Sequence, residues 1–161
     1  MSLSEALGIY AELSVGLAGF GGVAAAFSGR EREFRPAEKL RLDALLLCAG
    51  SVFVGCLCFF VALVFDHPEI QATIYAAVGS LPITAICFAT VVPRAWKAVF
   101  DPDATSRPGI TSLFTFLLAV TLISYVGVIV TEGSARYLIV GFSVQLAFGL
   151  WMFSRLLTRA N

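Results

Sequence analysis

Five apolar runs follow one another along the chain, at about residues 9–27, 42–65, 70–92, 110–130 and 137–157, with polar breaks between them. Each is close to the roughly 20 residues that an α-helix needs to cross the hydrocarbon of a bilayer. None shows the strict alternation of a half-buried strand. The pattern predicts an all-α fold, a polytopic membrane bundle of five transmembrane helices forming a single domain over residues 1–161.

The first run, GIYAELSVGLAGFGGVAAAF, is unusual in what it segregates. Wound at about 100° per residue, Tyr10, Leu13, Leu17, Phe20 and Phe27 fall on one side and Ala11, Ser14, Ala18, Gly21, Gly22 and Ala25 on the other. Helices in lipid associate where small residues let backbones approach. Ser14, Ala18, Gly21, Gly22 and Ala25 are therefore the expected packing face, and the bulky side is expected to meet acyl chains. A glycine-rich loop is the competing reading, but lipid penalises unpaired backbone groups heavily. Glu12 lies on the flank of the small face, about one turn in from the end of the apolar run. It is either a wet interfacial anchor or a functional carboxylate turned toward protein or water.

Proline and small residues punctuate the remaining runs. Pro36 suits the first position of a helix, where its missing N–H costs nothing, so the second helix is expected to begin there and to pair Glu38 with Arg41 and Lys39 with Asp43 on its surface. Asp66-His67-Pro68 and Glu132-Gly133-Ser134 read as tight turns. Ala72, Ala76, Ser80 and Thr84 form a small-residue row in the third run, interrupted by Pro82, which predicts a kink or a freed carbonyl. Pro93 is expected to close that run, with Trp96 and Phe100 on a short interfacial helix before a turn at Asp101-Pro102-Asp103. Gly141, Gln145 and Gly149 share one face of the fifth run, where Gln145 is expected to hydrogen-bond to another helix.

Charge orients the bundle. Arg30, Arg32, Arg35, Lys39, Arg41, Arg94, Lys97, Arg107, Arg155 and Arg159 fall on one side of a five-span arrangement, and only Arg136 on the other. The positive-inside rule then places the N-terminus outside and the C-terminus in the cytoplasm. A re-entrant first run would leave the same loop charges with the N-terminus inside. The opening residues lack the basic stretch of a secretory signal, so the first run is expected to be a retained span; the expected location is a bacterial inner (cytoplasmic) membrane.

Charged residues make up 14% of the chain, against about 25% in soluble domains. Formal net charge is zero, which argues against a nucleic-acid partner. Cys48, Cys56, Cys58 and Cys87 all lie in apolar runs and read as packing residues. No phosphate-binding Gly-Lys loop, paired-histidine metal motif or serine nucleophile elbow occurs, so no catalytic residue, metal or cofactor is expected.

Two functions remain. The first is a non-enzymatic membrane protein acting through helix–helix association, as a homo-oligomer or as a subunit with a membrane-protein partner. The second is a small ion channel or proton-coupled carrier with Glu12 near the outer end of its pathway. The candidate polar site is Glu12, His67, Glu132, Arg136 and Gln145, gathered by topology alone; the bland alternative is a helix cap at His67 and a surface charge at Arg136. The basic loop residues Arg30, Arg32, Arg35, Lys39 and Arg41 are a candidate surface for anionic lipid.

Overall fold

The computed structural model describes residues 2–28, 36–100 and 108–157. These form five α-helices: α1 (Leu3–Ser28), α2 (Pro36–Val64), α3 (Glu69–Phe100), α4 (Pro108–Val130) and α5 (Ala135–Leu157). Each is long and apolar enough to cross a membrane. Helices α2, α3, α4 and α5 close a ring in which each touches the next and α5 returns to α2, while α1 lies outside that ring against α2 and α5. The basic positions Arg30, Arg32, Arg35, Arg107 and Arg159 and the turn at Asp101-Pro102-Asp103 lie outside the described residues, as does the side chain of Ala25.

Local chemistry sets most helix ends. At the start of α1 the Ser2 hydroxyl accepts the Glu5 N–H (3.2 Å) and the Glu5 carboxylate accepts the Ser2 N–H (2.7 Å). This reciprocal pair satisfies two otherwise orphaned donors. Pro36 and Pro108 open α2 and α4, where a missing N–H is harmless.

The α2 and α4 C-termini end alike. His67 N–H bonds to the Ala62 carbonyl and Asp66 N–H to that of Leu63, both at 3.1 Å; Gly133 N–H bonds to Val128 (2.8 Å) and Glu132 N–H to Ile129 (3.4 Å). This crossed pattern needs a left-handed residue at its corner, and Asp66 (φ 58°) and Glu132 (φ 53°) supply it. An acid is a poor occupant: glycine takes that conformation without strain, and a carboxylate sits against the negative end of the helix dipole. Asp66→Gly is expected to raise stability by about 1 kcal/mol, read as a higher unfolding midpoint in detergent micelles by circular dichroism.

Helix α3 is continuous through Pro82 and Pro93, so Pro93 does not end it and Trp96 and Phe100 belong to its last turns. Both prolines are exposed, as are Val78 and Ala89, whose carbonyls lose their partners. The opposite side of the helix is anchored by buried Ala72, Ala76, Ser80, Thr84, Cys87, Val91 and Ala95. Packing on that side carries the helix past both breaks. The Trp96 indole N–H also donates to Thr115 Oγ1 on α4 (3.2 Å), and its ring stacks on Phe100.

The core is in two parts. One, toward the end with the two tight turns, holds Leu7 and Leu17 of α1 with Val52, Phe59, Ala72, Ala76, Tyr125, Leu138 and Phe142. The other, toward the opposite end, holds Cys48, Cys87, Val91, Phe114, Leu118 and Phe148. The inward stripe of α1 is Leu7, Ser14, Leu17 and Gly21, with Tyr10 half-buried beside it. Large and small residues share the seam, so the expected division into a small inner side and a bulky outer side fails at Leu17, which is buried, and at Gly22, which is exposed. Leu17 faces Gly149 of α5, its Cδ1 standing 3.4 Å from where a Cβ on that glycine would be. The glycine that accepts it is on the neighbour.

Candidate functional site

Halfway along the ring, four helices meet in a polar cluster. The row Ala72, Ala76, Ser80 and Thr84 faces α2, with each of the four fully buried, and its small side chains bring α3 close. A Cβ at Gly55 would fall on Ser80 Oγ and only 3.1 Å from the Ala76 carbonyl. At that range short hydroxyl side chains reach across. Ser80 Oγ donates to the Ser51 carbonyl (2.9 Å), and Thr84 Oγ1 donates to the Ser80 carbonyl (3.0 Å). Ser51 Oγ lies 3.0 Å from the Ser80 carbonyl and 2.8 Å from Thr84 Oγ1. From α5, Gln145 Nε2 donates to Thr84 Oγ1 (2.8 Å), and Tyr125 OH on α4 donates to Gln145 Oε1 (2.6 Å).

Every side chain in this cluster is at most 1% exposed. It contains hydroxyls and one amide and carries no formal charge. Buried polar groups of this kind are costly when orphaned and inexpensive when paired. Here they are paired across α2, α3, α4 and α5, and what they do is fix the register of those helices. One turn further, Cys48 and Cys87 are buried together in the second part of the core, on the α2 and α3 sides of their seam. Of the sequence-predicted polar residues, Gln145 alone belongs to this cluster.

The other predicted members stand apart from this cluster. His67 is half-buried at the α2–α3 turn, its ring edge-on to Tyr75 with centroids 5.4 Å apart. Glu132 holds its left-handed corner and is exposed, and Arg136 is exposed on the first turn of α5. Among the described residues no ion pair joins Glu12, His67, Glu132 or Arg136 to any other. Lys39 is exposed and Arg41 half-buried. Asp43 reaches Arg94 of α3 at 3.7 Å rather than Lys39, an exposed pair of small energetic weight.

Glu12 departs most from expectation. Helices α1 and α5 run parallel: Tyr10 OH meets Ser143 Oγ at 2.6 Å, 133 residues apart in sequence. Leu17 against Gly149 and Phe20 against Phe153 keep nearly the same offset. Glu12 is thus level with Gln145, halfway along the bundle, and not near one end. Nor does it flank the packing face. At 100° per residue it lies about 170° from the centre of the buried stripe, and it is exposed.

Four glycines accompany it. A Cβ placed at Gly8, Gly16, Gly19 or Gly22 would find nothing within 4 Å. Val15 and Val23, each more than half exposed, complete this side of α1. The other glycines divide: Gly21 is filled against Leu45, Gly79 against Cys58, Gly127 against the Tyr137 ring and Gly141 against the Tyr125 ring, whereas Gly50 of α2 and Gly109 at the start of α4 also find nothing within 4 Å, each singly on its helix. The expected packing residues therefore divide. Ser14 and Gly21 are buried within the bundle, Ala18 is half-buried, and Gly22 belongs to the uncovered side.

Comparison with known protein families, with curated proteins and with solved structures finds no match to this chain.

Proposed function

We propose that this chain is a small non-enzymatic integral membrane protein that acts by helix–helix association, as a homo-oligomer or as a subunit of a membrane complex. In this reading the five helices span a cytoplasmic membrane with the N-terminus outside and the C-terminus inside, following the bias of basic residues. The observation that carries it is the uncovered side of α1, where Gly8, Gly16, Gly19 and Gly22 meet nothing and Glu12 stands exposed among them.

Glycine in a helix interior costs roughly 1 kcal/mol relative to alanine in water. Within a bundle that cost is offset by close packing; on a lipid-facing side it is offset by nothing. A charged side chain at the centre of a spanning helix costs roughly 3 kcal/mol on insertion scales. Both penalties are relieved when a second helix covers the face. The buried cluster at Gln145 supports association over transport, because its donors and acceptors are turned on one another and line no passage. Glu12, on the outside of the bundle, weighs against a pathway between the chain's own helices.

Native mass spectrometry of the protein released from its own membrane tests this. Assemblies heavier than the 17.2 kDa chain are expected. Gly16→Ile with Gly19→Ile is expected to return the protein to the single chain without lowering the unfolding midpoint of that chain, because a Cβ at either position meets nothing in the rest of the bundle. A wild-type protein found only as the single chain would overturn the reading.

A further inference from the structure

We infer that the outward side of α1 receives a transmembrane helix of a different protein, one that carries a lysine or arginine at mid-depth and pairs it with Glu12. The inference rests on the association reading and names the partner. Its first ground is depth. Glu12 is level with Gln145, and α5 begins at Ala135, so the Glu12 backbone lies about 15 Å from that end of the bundle at 1.5 Å per residue. That is the middle of a hydrocarbon layer roughly 30 Å thick. Lysine and arginine escape such a position by extending long stems to the interface; the two methylenes of a glutamate side chain do not span that distance. The carboxylate must be met where it stands.

The second ground is charge complementarity, which selects against another copy of the chain. All eleven Lys and Arg residues lie in the connections or near the ends of the apolar runs, the nearest on that side being Arg136. No copy brings a cation to the level of Glu12. A second copy in the same orientation, seated α1 on α1, would set Glu12 against Glu12 and Glu5 against Glu5, since Glu5 lies on the same side, two turns earlier. Like charges so placed in a low-dielectric layer repel strongly. A cation on a foreign helix meets the same carboxylate with attraction, and in hydrocarbon that pairing is little screened.

The third ground is shape. Gly8, Glu12 and Gly16 are four apart and form one ridge, with Gly19 beside it. Bare backbone one turn before and one turn after the carboxylate lets a partner helix come near enough for a short acid to be reached by a long basic side chain.

The test uses the full-length protein in phosphatidylcholine liposomes at low protein-to-lipid ratio, with a donor dye at its N-terminus. The probes are symmetric leucine–alanine transmembrane peptides carrying an acceptor dye and a single central Lys, Leu or Glu. Energy transfer to the Lys peptide is expected to show association at least tenfold tighter than to the Leu or Glu peptide, and the preference is expected to vanish in Glu12→Gln and in Gly16→Ile with Gly19→Ile. Circular dichroism of each variant is expected to match the wild type. Equal transfer to the Lys and Leu peptides, or a Lys preference that survives Glu12→Gln, would overturn the inference. Transfer between two differently labelled populations of the protein separates the two readings. Self-association lost in the double glycine variant, without a Lys preference, sinks the cationic partner and leaves association standing. Absence of both signals sinks both.

Discussion

Gly55→Val is expected to destabilise the bundle by about 3 kcal/mol or more, at or beyond the upper end of overpacking costs. The position is where α2, α3 and α5 converge. A first carbon there lands on Ser80 Oγ, 2.6 Å from Phe142 Cζ and 3.1 Å from the Ala76 carbonyl. None of the three yields easily. The Ser80 hydroxyl is held to the Ser51 carbonyl, the phenyl ring is fully buried, and a backbone carbonyl moves only if α3 moves. Separating α2 from α3 would also pull Ser51 from Thr84. Gly50→Val in the same helix is the control, because a Cβ there meets nothing within 4 Å; it is expected to stay within about 1 kcal/mol of the wild type. Unfolding midpoints of both variants in detergent micelles, titrated with dodecyl sulfate and followed by circular dichroism, decide the matter. Equal midpoints for the two would refute the close approach at Gly55.

Gln145→Leu is expected to cost about 2 kcal/mol, although leucine nearly preserves volume and adds apolar surface. Removing the amide takes an acceptor from the Tyr125 hydroxyl and a donor from Thr84. Each buried group so orphaned costs about 1–3 kcal/mol in proteins generally, whereas hydrogen bonds between membrane helices average about 0.6 kcal/mol in measured cycles. The expected value lies between these limits, because Thr84 retains the Ser80 carbonyl and Ser51. Tyr125→Phe alone is expected to cost about 1 kcal/mol. The two together should cost no more than about 0.5 kcal/mol beyond Gln145→Leu, the non-additivity of groups that serve one another. Full additivity in the same titration would show that the amide and the hydroxyl act separately.

The helices were legible because apolar length and proline position are local properties. Pro36 opens α2 as its chemistry predicts, and the breaks at Asp66-His67-Pro68 and Glu132-Gly133-Ser134 are turns. The rows Ala72–Thr84 and Gly141–Gly149 were also visible, since small residues four apart stand out in an apolar helix. What remained hidden depends on a second helix. The inward side of α1 is decided by where α5 offers Ser143 and Gly149, and nothing within α1 records that. Pro93 ends a helix only if no neighbour holds the other side, and buried Val91 and Ala95 do hold it. Ser80 and Thr84 were legible as small residues but not as hydrogen-bonding ones, and Ser51 and Tyr125 were inconspicuous, because hydroxyl residues are tolerated almost anywhere in an apolar helix. Only the pairing of Ser51 with Thr84 makes them a cluster, and that pairing is a matter of register. That Glu12 stands level with Gln145 and opposite the buried stripe of α1 was hidden for the same reason: both are read from its neighbour on α5.

The seating of α1 outside the ring has a consequence for biogenesis. The groove it occupies is walled on one side by α2 and on the other by α5, so α1, made before both, finds its second wall only once α5 has been synthesised. Helices α2 to α5 can close on one another in order of synthesis, each against its predecessor. Helix α1, with its acid and its bare glycines, keeps one flank of its seat open until α5 arrives.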